Sequence, residues 1–267
     1  MVNGFKIADA HCHIYPEKIA DRAVAGTDTF YGTAAKCRGT TDDLIKVGGE
    51  AGIDRFIVQS VATTPKQVKS INEFIAATVE KYPALLTGLG TLHPDSEDIA
   101  GDVAHLKGLG LHGVKLHPDI QRFKLDDYRC LKIYELCERE QLPILMHTGD
   151  SRYDYSNPNR LIPIMQIYTG LTVVGAHFGG WSIWEQASKQ LCDIPNLYVD
   201  CSSSLPYLKP ETAVEIIRRY GADRVMFGTD YPMWDPRDEV KAFMKLELTD
   251  VERRKILFEN SERIYGK

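Results

Sequence analysis

Residues 172–177 read TVVGAH and residues 143–148 read PILMHT; in each, a short run of apolar and β-branched residues closes on a histidine. A run of four to eight such residues, bounded by polar or turn residues, reads as a buried strand. The pattern recurs as FKIADAH (5–11), RFIVQSVA (55–62), LLTGLGTLH (85–93), HGVKLH (112–117), NLYVD (196–200) and RVMFGTD (224–230), which makes eight candidate strands. Between them apolar residues fall at helical spacing. Val68, Ile71, Phe74, Ile75 and Val79 do so behind Thr64-Pro65, an N-cap followed by proline at the first helical position. A helix is expected to open at Asp126 and run through Leu131, Tyr134 and Cys137, and another to start after Asn157-Pro158. KPETAVEIIRRYG (209–221) ends on a glycine suited to a helix C-terminus.

Strands alternating with helices imply right-handed βαβ units and a parallel sheet. Eight units over 267 residues fit a closed (β/α)8 TIM barrel, class α/β, better than an open sheet. One domain over residues 1–267 is the economical reading. TDVERRKILFENSERIYG (249–266) forms its helical closure, and Thr249-x-x-Glu252 matches a capping box. Residues 14–40, rich in Gly, Thr and Tyr, read as irregular. They follow the first strand, so they are expected to lie over the barrel mouth as a substrate loop or lid.

The composition excludes several classes of function. With 32 basic and 37 acidic residues, a formal charge of −5 and no basic block, nucleic acid is a poor partner. The apolar runs are too short to span a membrane, and the N-terminus has no apolar signal core, so a cytoplasmic protein is expected. Six cysteines without a Cys-x-x-Cys pair argue for reduced, buried thiols and against a thiolate zinc site. Cys12 should face opposite to its histidine neighbours.

In a barrel of this kind the active site lies at the C-terminal ends of the strands. The first strand ends in His11 and His13, two residues apart and so on one face of an extended chain. The fifth ends in His147, the sixth in His177 and the eighth in Asp230. Any one of these is an ordinary strand-end polar residue, but five metal-type ligands on one rim are not an ordinary coincidence. Neutral imidazole and carboxylate suit one divalent ion, Zn2+ first, with Mn2+ or Fe2+ as alternatives. Such an ion lowers the pKa of a bound water to about 7. A neighbouring group must then take and return the proton, and Asp230 and His177 are the two candidates.

DAHCH, HTGD, AHFGG and VMFGTDYP, in that order and followed by ENSERIYG, resemble the amidohydrolase superfamily. The chain is most similar to its amidohydrolase-2 branch, which includes the aminocarboxymuconate-semialdehyde decarboxylase-like enzymes. The resemblance covers essentially the whole chain. It implies a distorted (β/α)8 barrel with a mononuclear site, in which His11, His13, His147 and Asp230 bind the metal. His177 would stand beside it, and Asp230 would double as proton shuttle.

Lys115 and His117 in GVKLHPDIQRF should share a face. Three readings of Lys115 remain open: a carboxylated lysine bridging two metals, as the resemblance to dinuclear members implies; an ammonium binding a substrate carboxylate; or a salt bridge at the rim. Arg122, Arg152, Tyr153, Trp181, Trp184 and Trp234 follow strand ends. Lys115, His117, Arg152 and Trp181 are taken as substrate-binding residues, with arginine a carboxylate clamp.

The leading reading is a metal-dependent hydrolase that turns an activated water on a small, anionic substrate such as a lactone, an amide or another C–N or C–O bond. The alternative is non-oxidative decarboxylation of an unsaturated or aromatic acid. A basic pocket beside an aromatic wall would favour decarboxylation, and an oxyanion donor facing an open ligand position would favour hydrolysis. A barrel that binds metal without chemistry is the third class, and the intact ligand set argues against it. The partner expected is a small-molecule substrate, with a homodimer or higher homo-oligomer also open.

Overall fold

The computed structural model describes residues 1–266. The strands are β1 (Ala8–His13), β2 (Arg55–Gln59), β3 (Leu86–Gly88), β4 (Gly90–Thr91), β5 (Val114–Leu116), β6 (Ile144–Met146), β7 (Val173–Gly175), β8 (Leu197–Asp200) and β9 (Val225–Met226). All neighbouring pairs are parallel, in the order β1-β2-β3 and β4-β5-β6-β7-β8-β9. Backbone hydrogen bonds close the ring at both seams. Leu89 N donates to Val58 O (2.9 Å), while Ala10 N donates to Phe227 O (2.9 Å) and His13 N to Tyr231 O (2.7 Å). The fold is a distorted (β/α)8 barrel.

The run LLTGLGTLH forms one bent stave made of β3 and β4. Its flanking glycines weaken regular pairing, and Leu89 between them turns into the barrel. Side-chain alternation then sorts the core into two parts. Leu145 packs inside the barrel with Ile57, Leu89, Val174 and Met226, beneath Tyr265 of the C-terminal helix. Ile144 and Met146 face outward into the larger core under the helices. Burying each large aliphatic side chain is worth about 1.5–3 kcal/mol, so this alternation locks each stave in register.

The helices are α1 (Glu17–Tyr31), α2 (Thr41–Glu50), α3 (Val68–Lys81), α4 (Ile99–Gly108), α5 (Pro118–Gln121), α6 (Leu131–Arg139), α7 (Leu161–Ile167), α8 (Trp184–Leu191), α9 (Pro210–Tyr220), α10 (Pro236–Met244), α11 (Asp250–Arg254) and α12 (Asn260–Tyr265). The expected starts hold. Asp127 and Asn157 cap short 3-10 turns leading into α6 and α7, Gly221 ends α9 at φ 85°, and Thr249 and Glu252 form the capping box of α11.

Residues 14–40 depart from the irregular segment expected of them, because α1 occupies most of their length. The helix ends on Gly32 in the left-handed conformation. Only Ala20 of α1 is fully buried. Its inner face lines a cavity rather than the core, and Ile19, Ala20, Ala23, Val24, Phe30 and Tyr31 fall at helical spacing along that face, a signal that the expectation of an irregular segment passed over.

Candidate metal centre

β1 loses its regular register between Asp9 and Cys12. Strict alternation would put Ala10 and His11 on opposite faces. The irregularity instead lets Ala10 pack inside the barrel while His11 and His13 both turn into the cavity above it. Cys12 points away into the outer core, as its position in the strand predicts. Asp230, from the loop after β9, completes a triangle with the two histidines. His11 Nε2 lies 3.2 Å from His13 Nε2 and 3.3 Å from Asp230 Oδ1, and His13 Nε2 lies 3.5 Å from Asp230 Oδ1.

These separations are what a metal ion requires. Bonds of about 2.0–2.2 Å in tetrahedral geometry put ligand atoms roughly 3.3–3.6 Å apart. Burial holds the pKa of both imidazoles well below the ordinary histidine value, with Lys115 adding to the effect, so each ring offers a neutral lone pair. Burial pushes the Asp230 carboxyl up to about 7.

The sequence reading missed the residue that aims the triangle. Asp200, at the end of β8, places Oδ2 2.9 Å from His11 Nδ1, which turns His11 Nε2 towards the other ligands. Ser203 donates to Asp230 Oδ2 (2.6 Å), and Trp234 Nε1 donates to Ser203 Oγ (2.8 Å). The only signal for Asp200 in the sequence is its place at the end of NLYVD.

His177 and Asp230 both take φ of 60°, a conformation that residues other than glycine rarely adopt and that concentrates at functional sites. The loops after β6 and β7 also meet closely. A Cβ on Gly149 (φ 77°) would fall 2.5 Å from the Gly180 backbone, so this contact demands glycine.

The structure does not bring His147 into the triangle. His147 Nδ1 lies 3.1 Å from His177 Nε2, and His147 Nε2 lies 3.4 Å from Asp119 Oδ2. A second carboxylate, Asp119, in the first turn of α5 stands beside it, and the sequence reading overlooked it. His117, Asp119 and His147 are all buried and close enough together to suggest a second cation site. Ring orientation argues against it, because the His117 and His147 imidazoles stack at 4.0 Å and 7° and parallel rings cannot both aim in-plane lone pairs at one ion.

Tyr31 joins this second cluster from the end of α1, its hydroxyl 2.7 Å from His117 Nε2 and 3.5 Å from His147 Nε2. The outer contacts fix a tautomeric order. Ile120 N donates to His117 Nδ1, which leaves the His117 proton on Nε2, facing Tyr31. His177 Nδ1 lies 3.0 Å from the Ser202 carbonyl, so its proton is there and its Nε2 accepts from His147 Nδ1. The result is a directed hydrogen-bonded chain from His117 through Tyr31 and His147 to His177.

The remaining expected residues divide. Lys115 is buried with its Nζ 3.0 Å from His11 Nε2, and burial pulls its pKa down to about 8. Lys115, His117, Trp181 and Trp234 line a cavity of about 730 Å³ over the triangle. Arg152 does not line it, which corrects its assignment as a substrate clamp. Arg152 pairs with Asp150 (2.7 Å), donates to Phe30 O (2.8 Å) and sits over the rings of Phe30, Tyr31, Tyr153 and Trp181 at 5.2–5.7 Å. It fastens the end of α1 to the barrel. Arg122, Tyr153 and Trp184 also lie off the cavity lining.

A parallel α/β barrel with two histidines and an aspartate converging on its C-terminal rim defines a metal-binding barrel enzyme. The chain belongs to the amidohydrolase family, whose Amidohydro_2 model matches residues 8–267. Solved structures share the fold. An uncharacterised TIM-barrel protein from Bordetella bronchiseptica is 22% identical, with 97% of this chain and 98% of that one covered and a TM-score of 0.82. The 5-carboxyvanillate decarboxylase LigW from Sphingomonas paucimobilis is 15% identical, covering 98% and 99%, with a TM-score of 0.77. A dihydroxybenzoic acid decarboxylase from Polaromonas, solved with bound manganese and the inhibitor 2-nitroresorcinol, is 16% identical, covering 98% and 97%, with a TM-score of 0.75. No helix among the described residues is long and apolar enough to cross a membrane.

Proposed function

We propose that this protein is a metal-dependent, non-oxidative decarboxylase of an aromatic or unsaturated carboxylic acid. The observation that carries the reading is a buried cation beside the triangle under an aromatic wall. Lys115 is 1% exposed, and it shares its cavity with Phe30, Tyr31, Trp181 and Trp234. A planar acid fits between that wall and that cation. The decarboxylases of similar fold, one of them solved with manganese, support the same choice.

His11, His13 and Asp230 would hold the ion, zinc or manganese, while His147 lines the same cavity outside the triangle. When bound, the ion supplies a Lewis acid that anchors the substrate carboxylate or an adjacent oxygen. Lys115 counters the substrate's negative charge. Trp181 and Tyr31 hold the ring and exclude water. Asp230 delivers a proton to the carbon that bears the carboxylate, and His177, accepting from His147 at Nε2, anchors the hydrogen-bonded chain beside it. The C–C bond then breaks, its electron pair returns to the unsaturated system, and CO2 leaves. Six free thiols support a reducing, cytoplasmic setting.

Hydrolysis is favoured by one observation, the Asp230 carboxyl fixed by Ser203 on one oxygen with the other beside the histidine pair, which suits a proton acceptor for an attacking water. The test is to incubate protein loaded with zinc or manganese with hydroxybenzoates and unsaturated acids in D2O, and in parallel with carboxylated lactones and amides. Decarboxylation gives CO2 and one deuteron at the vacated carbon. Turnover of the lactones or amides with no CO2 from any acid would replace this reading with the hydrolytic one.

A further inference from the structure

The cavity reaches well beyond the triangle. Its outer part lies between α1 and the segment that starts α3, where Ile19, Ala23, Ile71 and Phe74 form apolar walls. Lys18 and Arg22, four residues apart on one face of α1, also line it. Among the described residues neither has a carboxylate within ion-pair distance. The acid beside Lys18, Glu17, is taken by Arg38 at 2.8 Å. Arg55, Arg129, Arg152, Arg160 and Arg237 each hold a carboxylate at 2.7 Å or less, whereas Arg22 holds none among the described residues and faces the cavity. The cavity therefore has a cationic, metal-competent inner end and a second pair of cations with no internal partner, joined by walls that are mostly apolar but also carry Thr27, Thr63, Gln67 and Ser70.

We infer that the substrate is an elongated dianion, with the reacting carboxylate at the inner end, an apolar spacer, and a second anionic group, carboxylate or phosphate, seated by Lys18 and Arg22. This rests on the decarboxylase reading for the inner end only. Guanidinium and ammonium groups without internal acids are ready donors for an anion. The mostly apolar walls between the two ends disfavour a polar linker, whose groups would lose water without gaining partners. Phosphate and carboxylate present the same chemistry to these donors, and a matched pair of probes separates them.

The experiment measures binding to metal-loaded protein at low salt. Its probes are linear α,ω-dicarboxylates from glutarate to sebacate, the monocarboxylates of equal length, and ω-phosphono acids. At one favoured chain length the dianion should bind at least about fivefold tighter than its monoanion, as expected for two exposed ion pairs acting together. The advantage should shrink with added salt and fall to near one in the Lys18→Gln/Arg22→Gln double variant. Both side chains are exposed, and a thermal melt confirms that the variant folds. A ratio near one at every length in the unaltered protein overturns the inference, as does an advantage that survives the double variant. Removing the metal tests the other end separately. Monoanion binding that is indifferent to metal sinks the decarboxylase reading, while a dianion advantage dependent on Arg22 still supports the outer site.

Discussion

Three groups of two histidines and one aspartate share the barrel rim, and the two that have no residue in common, His11–His13–Asp230 and His117–His147–Asp119, differ in where their rings point. In the first, His11 and His13 are tilted by 48° and their Nε2 atoms converge with Asp230. In the second, His117 and His147 lie parallel at 7° and are joined through the Tyr31 hydroxyl. The difference originates on the far side of each ring. A carboxylate, Asp200, faces His11 Nδ1 and leaves Nε2 a lone pair, whereas the Ile120 backbone N–H takes the Nδ1 lone pair of His117 and leaves Nε2 a donor. Residue types set what a cluster is able to bind, and the next shell of contacts decides whether it does.

The sharpest way to break this comparison is Asp230→Asn. It should lower turnover by roughly 10²- to 10⁴-fold and strip bound metal, with the melting curve retained. Full metal content in this variant would mean that the triangle is not the centre. Next comes Asp200→Asn, which never touches the ion. It should weaken metal affinity about 10- to 100-fold, read by chelator competition, because His11 loses its orienting partner.

On the other side of the comparison, Tyr31→Phe should reduce kcat/KM about fivefold, the scale of one lost hydrogen bond. It should leave metal per chain at the wild-type value, and so should Asp119→Asn. Loss of a metal equivalent in either variant would make the second cluster a metal site after all.

The smallest effect concerns stability. Glu239 on α10 is buried, its Oε2 has no hydrogen-bond partner, and burial pushes its carboxyl from 4.5 up to about 8. Between those values the folded state holds a proton that the unfolded state releases, so stability falls as pH rises through that window. Glu239→Gln should flatten the slope. Urea midpoints at pH 6 and pH 8 should show a gain on the order of 1–2 kcal/mol at the higher pH.

The sequence made some of the site legible and hid the rest. His11, His13 and Asp230 were readable because strand ends on one rim of a barrel must converge. His147 was legible as a rim residue, but its neighbour Asp119, with which it stands in the second cluster, was not. Arg152 follows a strand and is expected as a clamp, yet it holds the roof helix, while Tyr31, in a segment expected to be irregular, reaches the site from the end of α1.

By itself the sequence determined the barrel, since eight apolar runs separated by amphipathic helices have few other ways to bury both faces of a parallel sheet. It also determined the family and the chemical types of ligand on the rim. Only the tertiary structure decided which nitrogen of each imidazole faces the cavity, which carboxylate orients it, and that α1 roofs the pocket with two cations free of internal acids. Those facts depend on contacts between residues as far apart as His11 and Asp200, separated by 189 positions. Periodicity and local spacing report which way a side chain faces along its own element, but carry nothing about what it meets there.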